Sequence, residues 1–357
     1  MIRAEGGVDG NVDPASSIVR TKLQDKDLTR PDRFARALFL VAALVPAAML
    51  IFLAAEMIRE AIPAFIYSGW GFFTGQIFSF GQLYATTLSH HNGITAPHGA
   101  VYGAFPFIFG TLVSSLIALM IAVPVSVGAV LALSERIPRR FQSGMSVFLE
   151  VLAGIPSVAY GFWGVFFFGP FLATHIYPTL ASVLGFIPIF HSPVGFGEGL
   201  LTTSVVLAVM IVPIIAATTR SLLSTVPILA KEGALALGMT PYETVRVVTL
   251  PYVRRGILAA AILGWARALG ETMMVLMLSG NLLDRLPQNI YGGFSTIAAS
   301  IVDLLDSALT DATGMAVHAL AALGCVLLVI TIATNLIGRL IIRRSTGGVP
   351  LPIGRGI

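Results

Sequence analysis

Six apolar runs of membrane-spanning length constrain this chain more than any other feature of its sequence. A helix needs about 20 apolar residues to cross a hydrocarbon core about 30 Å thick. Because lipid offers the backbone no hydrogen-bond partner, such runs cross the bilayer as helices. The sequence therefore predicts an all-α polytopic membrane protein with six transmembrane helices. The predicted spans are 37–55, 105–133, 147–172, 200–219, 257–282 and 315–337.

The composition requires a lipid bilayer as a partner and excludes an ordinary soluble domain. Hydrophobic residues make up 56% of the chain, charged residues 11%, and the mean hydropathy is +0.87. Soluble domains of average composition are far less apolar. The formal net charge of +4 is too small to indicate a nucleic-acid partner. The first span is too long and too distant from the N-terminus for a cleavable signal peptide, so we predict that it is retained.

The spans divide the chain into a membrane domain and two polar tails. Residues 1–36 carry many charges of both signs with scattered Gly and Ser, which is typical of a disordered segment. Residues 37–344 form the predicted transmembrane domain. Residues 345–357 form a second tail, and both tails are predicted to be cytoplasmic on the charge argument that follows.

The basic residues are distributed unequally between the two sides of the predicted membrane domain. Of 22 Lys and Arg residues, Arg59 and Arg285 fall in the three loops of one side, and Arg267 lies inside a span. The other 19 lie on the opposite side. Loops rich in Lys and Arg remain cytoplasmic, so the sequence predicts a multi-pass protein of the cytoplasmic (inner) membrane. The loop 231–251 is predicted to be cytoplasmic as well.

The loop 231–251 has the sequence features of two short helices. Gly238 suits the left-handed residue that ends the first helix. Thr240 and Glu243 have the spacing of a capping box, with a proline at the first helical position between them. Pro251 is predicted to stop the second helix. This segment is therefore predicted to be a folded unit rather than a solvated connection.

The spacing within this loop resembles the EAA loop of ABC importer permeases. The positions that correspond to the family's pattern are Glu232, Gly233, Ala234, Gly238, Leu250 and Pro251, of which Gly233 departs from it. The family has Ala where this chain has Gly233, a difference of about 1 kcal/mol in helix stability. The resemblance implies a cytoplasmic coupling helix that sits in a cleft of a separate ATP-hydrolysing subunit.

The fifth predicted span carries an Arg and a Glu in the middle of the membrane. Arg267 and Glu271 are four residues apart, which allows them to pair on one helix face. An Arg at that depth costs about 2.5 to 3.5 kcal/mol, so it is expected to face a bundle interior or a water-lined path. Two interpretations remain open. The pair is either a structural salt bridge, or an oxyanion site in which Arg267 donates hydrogen bonds and Glu271 orients it.

Several longer segments, including LEVLAGIPSVAYGFWGVF and ARALGETMMVLMLSGN, resemble the PstC-type permeases of phosphate-specific ABC importers. The resemblance implies a MetI-like type I ABC importer fold that moves inorganic phosphate by alternating access. It also implies a PstA-type sister permease with a matching Arg, a PstB-type ATPase dimer and a periplasmic phosphate-binding protein. The residues that carry over to the substrate path are Arg267, Glu271, Gly154, Pro156 and Ser157.

The chain is predicted not to be an enzyme. A phosphate-binding loop needs Gly-Lys followed by Ser or Thr, and none of its lysines, Lys22, Lys26 and Lys231, follows a Gly. ATP and Mg²⁺ would therefore bind to the partner ATPase, and no cofactor is expected on this chain. A metal is not expected at His90, His91 and His98, whose spacing is not diagnostic. The alternatives left open are a molybdate or sulfate permease and a secondary transporter.

Overall fold

The computed structural model describes residues 30–83, 87–135, 138–283 and 285–344. Contacts divide the chain into two compact units, Met1–Ala55 and Glu56–Ile357. The described part of the first unit, residues 30–55, is helical throughout. Residues 30–36 are therefore helical where the sequence predicted a disordered tail. The rest of that tail, and the tail 345–357, lie outside the described residues.

The first elements of the chain include β-structure that the all-α prediction missed. Within the connection that follows the first span, Phe78–Ser79 pairs with Val101–Tyr102, and Leu88–His91 pairs with Ile94–Pro97, both antiparallel. The turn of the second pair is formed by Asn92 and Gly93, both at positive φ (51° and 79°), as a two-residue hairpin requires. The elements are α1 (Arg30–Ser68), α2 (Gly71–Thr74), β1 (Phe78–Ser79), β2 (Leu88–His91), β3 (Ile94–Pro97) and β4 (Val101–Tyr102).

The remaining elements within the described residues are helical. They are α3 (Phe105–Glu135), α4 (Arg139–Gly154), α5 (Ser157–Trp163), α6 (Gly169–Phe171), α7 (Tyr177–Leu184), α8 (Leu200–Leu223), α9 (Ile228–Ala236), α10 (Pro241–Thr244), α11 (Leu250–Leu269), α12 (Met273–Leu278), α13 (Ile297–Leu309) and α14 (Met315–Arg344). Three π-helical turns, Gly164–Phe168, Leu172–Ile176 and Val245–Thr249, join α5 to α6, α6 to α7 and α10 to α11.

Six helical stretches in the described residues are long and apolar enough to cross a membrane, which confirms the predicted number. They are Leu38–Ser68, Phe105–Ser134, Ser157–Leu184, Leu200–Leu223, Pro241–Leu269 and Met315–Arg343. The third stretch begins and ends later than the predicted 147–172. The fifth begins well before the predicted 257–282, because Pro251 does not stop the helix. Pro251 lies in the first turn of α11, where the missing N–H is tolerated after a π-helical turn.

Helix α8 is the centre of the membrane domain. Of its most apolar window, 67% is buried, more than in any other candidate span. It packs against α3, where Ser126 Oγ donates a 3.1 Å hydrogen bond to the carbonyl of Val212. It also packs against α11, where Gly264 lies against the side chain of Ile215. A further hydrogen bond of 3.0 Å from Trp265 Nε1 to Ser115 Oγ joins α11 to α3.

Gly110 is expected to be essential for the packing of α3. A Cβ added there would lie 2.1 Å from the carbonyl oxygen of Ser295. Gly110→Ala should therefore lower the free energy of unfolding by about 1–3 kcal/mol. Thermal unfolding of the detergent-solubilised protein measures this change. Gly128 on the same helix has open space around its Cβ position, so Gly128→Ala should instead stabilise by about 0.5–1 kcal/mol. Equal effects of the two substitutions would contradict this packing.

Candidate functional site

Arg267 and Glu271 form an ion pair in which the two side chains have very different environments. Arg267 Nη2 lies 3.8 Å from Glu271 Oε2, beyond the range of a direct hydrogen bond. The Arg267 side chain is 53% exposed, whereas that of Glu271 is 3% exposed. The guanidinium therefore has donors left over for a further partner. A half-exposed Arg at the end of an apolar membrane-length helix is costly against lipid, so this face requires water or another polar group.

The pair lies at a break in the fifth membrane stretch. Helix α11 ends at Leu269, and α12 starts at Met273. Gly270, between the helices, is exposed. The sequence predicted that the two residues lie on one face of a continuous helix. In the structure Arg267 lies near the end of α11, and Glu271 lies in the break that follows it. Interrupted transmembrane helices expose backbone dipoles and commonly form substrate sites in transporters.

A second break precedes the third membrane stretch and involves the three residues predicted there. Helix α4 ends at Gly154 and α5 begins at Ser157, with Pro156 in an extended conformation between them. Gly154 and Pro156 are exposed, and Ser157 is half-buried. The proline cannot donate to the preceding turn and restricts the residue before it to extended backbone, which explains the break.

The two breaks lie at similar depth. A Cβ at Gly161 on α5 would contact Met274 Cα and Met277 Sδ on α12, and one at Gly164 would contact Leu278. The two helices therefore run in parallel with matched register. Counting back about one helical turn from these contacts reaches Ser157 on one helix and Glu271 on the other. The structure thus gathers Arg267, Glu271 and the break at 154–157 into one layer of the membrane domain.

The predicted coupling residues form a separate cluster, folded as the sequence indicated. Thr240 Oγ1 accepts a 3.3 Å hydrogen bond from the Glu243 N–H, and Glu243 Oε2 accepts one of 2.7 Å from the Thr240 N–H. The capping box is therefore confirmed. Gly238 has φ +86° and ends α9 with backbone hydrogen bonds from residues 238 and 239 to carbonyls 235 and 234. The left-handed Gly238 is confirmed too.

Most of the predicted coupling positions are accessible. Glu232, Gly233 and Gly238 are exposed, as is Pro251, while Leu250 is half-buried and Ala234 is buried. The unit formed by α9, the turn after it and α10, residues 228–244, is called the coupling unit below. Ile228, Leu229 and Leu237 on this unit are 68%, 77% and 81% exposed. Exposed apolar side chains of this size make the coupling unit a candidate surface for contact with another protein.

The coupling residues and the ion pair are far apart but are joined by one helical stretch. The helical stretch Pro241–Leu269 starts in the coupling unit and ends beside Arg267. With a rise of about 1.5 Å per residue, roughly 40 Å of helix separates the capping box from the ion pair. The side of the protein that carries the coupling unit has four basic residues and is called the basic face. They are Arg220 on α8, Lys231 on α9, Arg246 in the π-helical turn and Arg254 on α11. One helical stretch therefore joins the coupling unit to the ion pair.

Sequence reasoning missed a cavity on the face opposite the basic face. The cavity has a volume of about 420 Å³ and is lined by residues 193–196 and 198 on one side and by residues 280, 282, 285–289 and 291–293 on the other. Asn289 Nδ2 braces the first segment by donating 3.0 Å hydrogen bonds to the carbonyls of His191 and Pro193. Phe196 at its rim is 98% exposed. The sequence feature that could have predicted this cavity is the Gly- and Pro-rich run around Phe196, because such segments often form binding loops.

The histidines do not assemble a metal site among the residues that the structure describes, where no group of three or more His, Cys, Asp or Glu side chains lies together. His91 Nδ1 hydrogen-bonds to the carbonyl of Tyr67, and His90 Nδ1 lies 3.1 Å from Thr95 Oγ1. The His91 contact connects the hairpin to the end of α1, and the His90 contact joins the two strands of the hairpin. His90 and His91 therefore have structural partners.

A charged pair at the end of an apolar membrane-length helix, beside the break that follows it and level with the break at 154–157, is the arrangement expected of a protein that moves a polar solute across a bilayer. Comparison with known proteins supports the same class, a helical transport permease. The family model described as the binding-protein-dependent transport system inner membrane component matches residues 124–347. The chain therefore belongs to this family of transport permeases, which are transporter subunits and not enzymes.

The chain is also similar to individual proteins over most of its length. The phosphate transport system permease protein PstC 1 of Mycobacterium tuberculosis is 49% identical over 320 residues, covering 89% of this chain and 94% of that protein. PstC of Haemophilus influenzae is 42% identical over 246 residues, with coverage of 68% and 76%.

A solved structure supports the fold alone. A bacterial alginate ABC transporter, crystallised in complex with an alginate pentasaccharide-bound periplasmic protein, has a chain that is 17% identical to this one. It aligns with a TM-score of 0.56 over 88% of this chain and 97% of that one. The MetI-like importer fold expected from the sequence is thereby confirmed for the described membrane domain.

Proposed function

We propose that this chain is the permease of an ATP-driven importer of inorganic phosphate. The single observation that carries the proposal is the Arg267 guanidinium, which is half-exposed at the end of an apolar membrane-length helix, beside a helix break. A planar guanidinium donates paired hydrogen bonds that match the oxygens of a tetrahedral oxyanion. Phosphate is chosen among oxyanions because the PstC proteins of two bacteria, named above, are 49% and 42% identical to this chain.

Glu271 has a defined part in this proposal. Its buried carboxylate keeps Arg267 paired when no anion is bound, at a separation of 3.8 Å that leaves the guanidinium donors available. A sister permease with an equivalent Arg supplies a second positive charge, which suits a dianion. The breaks at 154–157 and 270–272 give the path backbone groups and a place to bend.

The energy source is a separate ATPase that binds the coupling unit and holds ATP and Mg²⁺. The exposed Ile228, Leu229 and Leu237 supply an apolar contact surface, and the capping box keeps the helix pair rigid. Closure of an ATPase dimer pushes the coupling unit, and the stretch Pro241–Leu269 carries the motion to Arg267. Access to the charged layer then alternates between the two sides of the membrane.

The orientation follows from the basic residues. The basic face is proposed to be cytoplasmic, with both termini on the same side, because Lys and Arg concentrate there. The 420 Å³ cavity and Phe196 then face the periplasm, where a phosphate-binding protein delivers the anion. A secondary transporter has no use for a folded coupling unit, so the importer is preferred to that alternative.

Uptake of labelled phosphate into proteoliposomes that contain the complete complex tests the substrate. ATP enclosed with the ATPase should drive uptake, and unlabelled phosphate should suppress it fully. Sulfate and molybdate in large excess should leave uptake nearly unchanged. Strong competition by molybdate or sulfate would show that the substrate is one of those oxyanions instead of phosphate. Uptake without ATP would indicate a secondary transporter.

A further inference from the structure

A groove lies between α3 and the stretch formed by α10, its π-helical turn and α11. It consists of two cavities of about 490 and 580 Å³ that share Leu250. The first is lined by Pro241, Tyr242 and Arg246 against the end of α3. The second lies deeper in the membrane stretch. We call the two cavities together the α3–α11 groove.

The chemistry of the groove changes along its length. The second cavity is lined by Val123, Pro124, Val127, Leu250, Pro251, Ile257 and Leu258, and its one charged lining residue is Arg254. The first cavity adds Arg246 and the hydroxyl-bearing Tyr242. The groove is therefore cationic and partly polar at the basic face and apolar toward the membrane interior.

The two arginines have no partner in the described residues. Neither Arg246 nor Arg254 makes an ion pair or side-chain hydrogen bond there, and both are exposed. Arg246 and Arg254 are eight residues apart, about 12 Å along the helix axis. Because side chains on a helix lean toward its N-terminus, Arg254 leans toward the level of Leu250, where the two cavities meet. The two cationic groups therefore flank the junction of the two cavities.

We infer that the α3–α11 groove binds an anionic phospholipid of the inner leaflet. The phosphate lies between Arg246 and Arg254, and one acyl chain follows Val127 and Leu258 into the membrane. Basic pockets between transmembrane helices on the cytoplasmic side suit anionic headgroups. A protein helix is a poorer occupant, because it would need carboxylates opposite both arginines. The inference rests on the proposed orientation but not on phosphate as the substrate.

Native mass spectrometry of the purified complex, after exchange into mixed phosphatidylglycerol and phosphatidylcholine, tests the inference. Replacing Arg246 and Arg254 together by Gln should weaken retention of phosphatidylglycerol roughly 10- to 30-fold. The matched control replaces Arg339 and Arg343 by Gln, which removes the same charge near the end of α14. That control should retain the lipid. Equal loss in both variants would overturn the site in favour of general surface attraction.

A second pair of variants tests the groove without changing charge. Gly128 lines the first cavity and has open space around its Cβ position, so Gly128→Leu should obstruct the groove and reduce bound phosphatidylglycerol. Gly144 on α4 is also open around Cβ but does not line the groove, and Gly144→Leu should leave lipid binding unchanged.

Two outcomes would overturn the inference. Undiminished lipid in Gly128→Leu would show that the lipid binds elsewhere. A crosslink from a photoreactive residue at position 258 to the sister permease, instead of to lipid, would assign the groove to a protein interface. Both readouts are independent of phosphate uptake, so failure here is distinguishable from failure of the proposed function.

Discussion

Arg267→Ala is expected to abolish phosphate uptake while the transporter complex remains assembled. Each hydrogen bond to a charged group contributes about 1.5–3 kcal/mol, and a guanidinium makes two such bonds to an oxyanion. Loss of both corresponds to roughly a 100-fold or greater fall in uptake at limiting phosphate. Labelled phosphate uptake and co-purification of the ATPase, measured on the same membranes, separate transport from assembly.

The rival interpretation, a structural salt bridge, makes a different prediction for a double variant. Arg267→Ala alone leaves the Glu271 carboxylate, which is 3% exposed, without its cation, and this can destabilise the fold. Adding Glu271→Gln removes the unpaired charge. If Arg267 binds the anion, the double variant should assemble normally and still fail to transport. Recovery of both assembly and uptake would establish the salt bridge as structural and end the assignment of Arg267 to the substrate.

Leu237→Glu is expected to uncouple the permease from its ATPase. The Leu237 side chain is 81% exposed on the coupling unit, beside the left-handed Gly238. Covering a leucine side chain contributes about 1.5–3 kcal/mol, so its replacement by a charged residue should weaken ATPase binding roughly 10-fold or more. Co-purification of the ATPase and uptake should fall together.

The matched control is Leu309→Glu at the end of α13. Leu309 is 68% exposed, so the change in side chain and exposure is similar, but it lies outside the coupling unit. ATPase retention should be unaffected by this variant. Retention of the ATPase in Leu237→Glu would show that the coupling unit contacts some other surface.

The sequence by itself determined the features that depend on short-range rules. Six apolar runs are sufficient for six membrane helices, because lipid leaves the backbone no alternative. The capping box at Thr240 and Glu243 and the left-handed Gly238 were predictable because each depends on neighbours only a few residues away. The hairpin at Asn92 and Gly93 was predictable on the same grounds from its Asn-Gly pair, although it was missed.

Only the tertiary structure decided which distant residues share a layer and where helices continue. Pro251 has the local features of a stop, yet the helix passes through it, because a π-helical turn absorbs the missing hydrogen bond. The break at Pro156 and the ion pair at Glu271 are more than 100 residues apart in sequence. Their common depth follows from the contacts of Gly161 and Gly164 with α12, and helix packing of this kind leaves no periodic signal in the sequence.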